Sequence, residues 1–291
     1  MTRSTPTVSV IVIFWNEGRY LDEAIRSVEA QSFTDWELVL VDDGSTDESP
    51  TIAAAAVARD PAHIRLIGHP DGTNRGMSES RNLGIAEARG RYVTFLDGDD
   101  LIGPDKFERQ VALLEAHPHV GFVTSPARWW FSHDGCDSDR DFVQTLGRRD
   151  ACVEPPELVL AYLRDEWCSL CDVMIRREVL IDTGGYENAF RGMFEDQVFH
   201  AKLAATHTAY VTSAVWYHYR QHADTSTSRA HLAGTHRAAR RRFLRWMRRW
   251  VRTLPPPSRA TLEDELRRQG RALRAGSIPA RALRRLRHAD R

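Results

Sequence analysis

No apolar run in this 291-residue chain approaches the about 20 residues that a membrane-crossing helix needs, so a helical span is not expected. Residues 1–7 are too short for the charged and apolar regions of a signal peptide, and the apolar run at 8–15 leads directly into a charged segment. The expected location is the cytoplasm, either free or peripheral on the cytosolic face of a membrane. Cysteine is scarce, with four residues at 136, 152, 168 and 171, and none of them requires an oxidising compartment. Cys168 and Cys171 have the spacing of a redox pair or half a zinc site, but the gaps to Cys136 and Cys152 do not form paired knuckles. Buried thiols are the simpler reading. Lysine is nearly missing, at two of 40 basic residues, a bias of genome composition and not of mechanism.

Net charge is absent too, but the zero is the sum of two unequal parts. Residues 1–228 carry 36 acidic and 21 basic side chains, whereas residues 229–291 carry 4 and 19. The acidic body is a poor nucleic-acid binder, and cationic charge in the tail does not by itself specify that partner, so no nucleic acid is expected. An anionic membrane surface suits the tail better.

What is present is an alternation. A dense β-branched run at 8–15 reads as a buried central strand, and the segments at 37–41, 63–67, 91–96 and 120–124 read as further strands. Helical spacing fills the gaps, as at Leu21, Ile25 and Val28 or at Phe107, Val111 and Leu114. Repeated strand–helix alternation predicts an open, mainly parallel α/β sheet whose ligands gather at the carboxyl ends of the strands. The middle is less regular. A short helix is expected at 155–165, a turn at Gly184-Gly185, a helix at 195–205 and one late strand at 211–219.

Three acidic clusters fall where this architecture places chemistry. Asp42 and Asp43 follow the second strand, where a carboxylate accepts hydrogen bonds from a base or ribose; a turn with a helix cap is the alternative. Asp97-Gly-Asp99-Asp100 ends the fourth strand, and Gly98 is expected to bend the backbone so that Asp97 and Asp99 converge on Mg²⁺ or Mn²⁺. No EF-hand loop surrounds it. Glu195 and Asp196 open a helix and read equally as a general base or as dipole-complementing acids. Trp129, Trp130 and Trp167 offer aromatic faces to an acceptor sugar or to core packing.

In order, Val8-Ser-Val-Ile-Val-Ile-Phe-Trp-Asn-Glu17, Val41-Asp-Asp-Gly-Ser-Thr-Asp47, Ser80-Arg-Asn-Leu-Gly-Ile-Ala-Glu-Ala-Arg-Gly90, Tyr92-Val-Thr-Phe-Leu-Asp-Gly-Asp-Asp100, Met174-Ile-Arg-Arg177, Gly184-Gly-Tyr186, Phe194-Glu-Asp196 and Tyr219-Arg-Gln-His222 resemble glycosyltransferase family 2. The resemblance implies a type A nucleotide-sugar-binding fold over residues 1–228, with a nucleotide half at 7–125 and a smaller mixed acceptor half at 126–228. It further implies inverting transfer from a nucleoside-diphosphate sugar, with uridine as the base, to a hydroxyl of a glycan, lipid-linked or other envelope-type acceptor. Trp15, Asp42, Asp43, Arg81 and Asp97 would then serve the nucleotide, and Asp99, Asp97 and His222 the Mn²⁺ or Mg²⁺ ion. Arg220 and His222 would close over the diphosphate. Asp196 would be the base, Glu195 its neighbour, and Gly185 and Tyr186 acceptor-side residues. Trp15 stands where the family commonly has tyrosine, and Ile13 where many members have proline.

Residues 229–291 form an arginine-rich helical extension, interrupted at Pro255-Pro-Pro257. Phe243, Met247 and Trp250 follow three- and four-residue steps, so the helix has an apolar face that suits either an anionic membrane's headgroup layer or the catalytic domain. Two other functions fit a nucleotide pocket with aspartates: nucleotidyl transfer, which releases pyrophosphate, and a non-catalytic sugar-nucleotide-binding module.

Overall fold

The computed structural model describes residues 5–135, 140–164, 166, 172–222, 225 and 232–274. Its first strand, β1 (Val8–Phe14), is buried at every position, as a central strand covered on both faces must be. β2 (Trp36–Asp42) runs parallel beside it, β3 (Ile64–Gly68) lies outside β2, and β4 (Tyr92–Asp97) lies parallel on the other flank of β1. The register sets Phe14 opposite Asp42 and Ile13 opposite Asp97, so both acidic strand ends reach the same edge. The helices α1 (Leu21–Glu29), α2 (Ser49–Arg59) and α3 (Met77–Glu87) connect these strands, and α4 (Lys106–Ala116) follows them. α1 buries Leu21, Ala24, Ile25 and Val28, the stripe its spacing predicts. α3 lies so close to the sheet that a Cβ on Gly84 would sit 2.4 Å from Ile11 Cγ2.

Beyond Asp100 the chain forms β5 (Leu101–Ile102), β6 (Phe122–Thr124), β7 (Ala127–Trp130), β8 (Phe142–Val143), β9 (Ala151–Val153), β10 (Val173–Arg176), β11 (Ala209–Val211) and β12 (Tyr217–Arg220). The main sheet has the order β3-β2-β1-β4-β10-β6-β11-β9. β10 enters antiparallel between β4 and β6. The second sheet, β5-β12-β7-β8, stands at the edge where the acidic strand ends collect. The helices α5 (Glu157–Leu163), α6 (Arg177–Thr183) and α7 (Glu195–Thr206) complete the body.

The single strand expected at 211–219 is two strands in two different sheets. Between them the Asp150 carboxylate accepts the Ser213 N–H at 2.9 Å, and Thr212 Oγ1 accepts the Ala214 N–H at 3.2 Å. These side-chain bonds replace the ladder and turn the chain, while the alternation of residue types carries on through the break.

The basic extension supplies α8 (His236–Trp250) and α9 (Ser258–Arg274). The apolar face that its sequence offers to a membrane is packed inside the protein: Phe243, Leu244 and Met247 are buried and continuous with the main core. Phe243 stacks on Phe194 at 5.3 Å, and Arg240 donates to the Leu163 carbonyl at 2.7 Å. Exposing each of these apolar side chains would cost about 1.5–3 kcal/mol. Insertion into lipid would return no more than that, so this face has no net drive to leave the core.

Candidate active site

Three ligand-type side chains meet at the acidic edge. Glu17 follows β1, Asp99 follows β4, and His222 lies just past β12, with one ligand atom of each within 4.8 Å of the others. His222 Nε2 lies 3.1 Å from Asp99 Oδ2. The pairing of β12 with β5 explains the meeting. Tyr217 opposes Ile102, and that register carries Arg220 and His222 back over the Asp99–Asp100 turn. Asp100 locks the crossing, accepting the Tyr217 hydroxyl at 2.6 Å and the Arg220 N–H at 2.7 Å. Burial first, then Asp99 and Asp97, hold its carboxyl well above the usual aspartate value. Two carboxylates with one imidazole make a donor set that accommodates a divalent cation.

Asp97 does not join this trio. Its carboxylate accepts Arg81 Nη2 at 2.7 Å, and Arg81 Nη1 reaches Glu195 at 3.3 Å. In this structure the two side chains serve different partners, Asp97 the guanidinium of Arg81 and Asp99 the imidazole of His222. Gly98 also has another reason to be glycine. Its φ is not positive, but a Cβ there would lie 2.9 Å from Phe14 Cβ, because the turn crosses directly behind β1.

Arg81, only 2% exposed, is turned into the protein between the two acidic clusters and stands over the Tyr186 ring at 5.1 Å. Tyr186 is itself buried, stacked on Phe199 at 4.2 Å, and its N–H is accepted by Asn82 at 2.8 Å. Gly185, at φ +65, leaves no room for a Cβ, which would lie 2.5 Å from the same Asn82 oxygen. The two acceptor-side candidates are thus the platform beneath Arg81. Glu195 is buried and Asp196 half-buried at the first turn of α7. Phe194, at φ 74, turns the backbone into that helix and is held by Phe243. Burial and then Asp196 push the Glu195 carboxyl up to about 8, partly offset by Arg81. Burial also raises Asp196 above its ordinary value, against the Gln197 N–H and Arg81.

A raised carboxyl binds its proton more tightly in the folded state. The Glu195 contribution to stability is therefore highest below the ordinary value of 4.5 and falls as pH rises towards about 8. Glu195→Gln should flatten that part of the profile. The check is the midpoint of thermal unfolding across this range for both proteins, and equal slopes would contradict the assignment.

At the nucleoside end, Asp42 Oδ1 accepts the Ser45 N–H at 2.8 Å. Asp43 is buried and accepts the Arg75 N–H at 2.7 Å and the Gly76 N–H at 2.9 Å, so it pins the loop that precedes α3. Trp15 is 40% exposed at the end of β1. Arg220, expected over a diphosphate, is buried: it donates to Glu23 and to the Asp99 carbonyl, both at 2.7 Å, between the rings of Tyr20 and Trp130. Trp129 packs on Phe142 at 5.3 Å within the second sheet. Trp167, Cys136, Cys168 and Cys171 lie outside the described residues. Glu17 is the residue that sequence reasoning missed. It stands in the Asn16-Glu17 turn immediately after a buried strand, the position that drew attention to the other acidic groups.

Residues 9–129 match the family described as Glycosyl transferase family 2. An uncharacterized glycosyltransferase of Nostoc, alr2836, is 35% identical over 179 residues, covering 60% of this chain and 52% of that protein. The chain aligns with about half or less of the length of the first curated relatives it matches. Among solved structures, Staphylococcus aureus TarS superposes with a TM-score of 0.66 at 20% identity, over 90% of this chain and 43% of that one. The mannosyltransferase PcManGT of Pyrobaculum calidifontis, solved with GDP-Man and Mn²⁺, gives 0.56 at 21% identity, over 98% and 80%. Both likenesses establish the type A nucleotide-sugar-binding fold.

Proposed function

Because this chain belongs to glycosyltransferase family 2 through residues 9–129, we propose that it transfers a sugar from a nucleoside-diphosphate donor to an acceptor hydroxyl, with inversion and with a divalent metal. The observation that carries the metal-dependent reading is the meeting of Glu17, Asp99 and His222 within 4.8 Å from three separate stretches of chain. These residues would hold the ion. Mg²⁺ prefers an all-oxygen shell and keeps its waters, so the imidazole favours Mn²⁺. When bound, the ion supplies positive charge to the departing diphosphate.

The protein's own groups divide the remaining work. Asp196 takes the proton of the acceptor hydroxyl while that oxygen bonds to the anomeric carbon, and the nucleoside diphosphate leaves from the opposite face. Arg81 keeps Asp97 and Glu195 at fixed positions on either side of its guanidinium. Trp15, Asp42 and Asp43 shape the nucleoside end, with uridine the base implied by the sequence resemblance. The acceptor is a glycan or lipid-linked hydroxyl of the kind used in envelope polymers.

The test screens nucleotide sugars with Mn²⁺ and an acceptor panel, and reads nucleoside diphosphate release. Asp99→Ala should weaken Mn²⁺ binding, read by paramagnetic resonance, by about a hundredfold or more, since even outer-shell changes cost about 10–100-fold. Pyrophosphate release from a nucleoside triphosphate and a sugar phosphate would instead establish nucleotidyl transfer. Donor binding without turnover on any acceptor would leave a binding module.

A further inference from the structure

We propose that the groove between α8 and α9 binds the phosphate of anionic phospholipid headgroups, seating the protein on a membrane by its arginine face. The groove encloses about 400 Å³ and is lined by Arg241, Arg245 and Arg248 of α8 and Arg274 of α9, with Leu244 and Leu273 between them. No acidic residue lines it. Positions 241, 245 and 248 follow steps of four and three, which brings like charges onto one face of a helix at an energetic cost.

The contrast within the same pair of helices is the second observation. Elsewhere on α9, Arg259, Arg267 and Arg268 are each matched to Glu263, Asp264 or Glu265. Among the described residues, no ion pair engages Arg241, Arg245 or Arg274, and Arg248 spends one N–H on the Leu266 carbonyl at 3.0 Å. Four guanidinium groups around one concavity, none of them ion-paired among the described residues, fit a phosphate, whose oxygens accept their paired N–H groups.

A membrane fits better than a single free anion. Arg249 and Arg252 are exposed and continue the unpaired cations past the groove. The 15 residues of α8 span roughly 22 Å, more than one phosphate can occupy. The apolar stripe of α8 is already buried against the body. Attachment is therefore electrostatic and released by salt, not the insertion of that stripe. The inference does not rest on the transfer reaction.

Sedimentation of the full chain with vesicles tests it. The wild type should bind phosphatidylcholine vesicles containing phosphatidylglycerol, ignore phosphatidylcholine alone, and detach as salt rises. The variant R241Q/R245Q/R274Q should lose roughly a hundredfold in vesicle affinity. The control R259Q/R267Q/R268Q removes the same charge from paired positions and should lose far less. These side chains are exposed, and matching thermal midpoints would verify that the variants fold. The proposal is overturned by equal losses in the two variants, or by failure of the wild type to bind anionic vesicles at low salt. Displacement by inorganic phosphate at matched phosphate concentration, or by duplex DNA more readily than by lipid, would overturn it as well.

Discussion

Asp196→Asn is expected to keep Mn²⁺ and nucleotide-sugar binding while lowering transfer about 10²–10⁴-fold, the range that a positioned base contributes. The reason lies in how the Glu-Asp pair is divided. Glu195 is buried and committed to Arg81, whereas Asp196 is half-buried at the first turn of α7. Asparagine preserves the shape and the bond from the Gln197 N–H, which Asp196 Oδ1 accepts at 2.7 Å, but it cannot take a proton. The effect should fall on kcat and not on donor affinity. Asp196 must be ionised to act, and burial raises its carboxyl above the ordinary value of 3.8, so wild-type activity should rise with pH through that higher value. Isothermal titration with donor, alongside initial rates, separates the two quantities. Equal loss of binding and turnover would assign Asp196 to the donor site instead.

Arg81→Met should be the most destabilising single change at the site, at about 2–3 kcal/mol. Removing one member of a buried ion pair leaves a charge without compensation. The lower end applies because Asp97 keeps 27% of its side-chain exposure and retains water as a partner. Since the Glu195 carboxyl is pushed up to about 8, the deficit should grow above that pH, where both carboxylates are charged. Adding Glu195→Gln should recover part of the loss, a coupling that denaturant midpoints of the single and double variants would measure. A single-variant cost within experimental error of zero would show that Arg81 does not hold the two clusters together. The prediction matters for function because this guanidinium bonds both the strand-end loop and the start of α7.

Much of the fold was legible in the sequence because buried parallel strands carry a dense local signal. β1, β2 and β4 are dense, largely apolar runs, each closed by polar or acidic residues, and no long-range knowledge is needed to find them. β10 was not legible as a strand between β4 and β6, since pairing between segments some 80 residues apart leaves no periodicity in either. The break between β11 and β12 was hidden for a related reason: it is made by Asp150, far away in the chain. Local reading also missed the steric reason for Gly98, because proximity to Phe14 is not written next to it.

The extension shows the same division. Its sequence established an amphipathic arginine-rich helix, and the apolar face could have met lipid or protein equally well. Only tertiary packing decided that Phe243 closes over Phe194, one residue before the Glu-Asp pair, leaving the arginine face outward.

By itself, then, the sequence determined where acidic groups stand relative to strand ends, because strand burial and residue type are local properties. Which of those groups act together was decided by the second sheet and by Arg81. β12 pairs with β5 and delivers His222 to Asp99 beside Glu17, while Arg81 draws Asp97 away towards Glu195. Hydrogen-bond register and the demand that buried charge be compensated act between distant segments, so they fix the site only once the chain has folded.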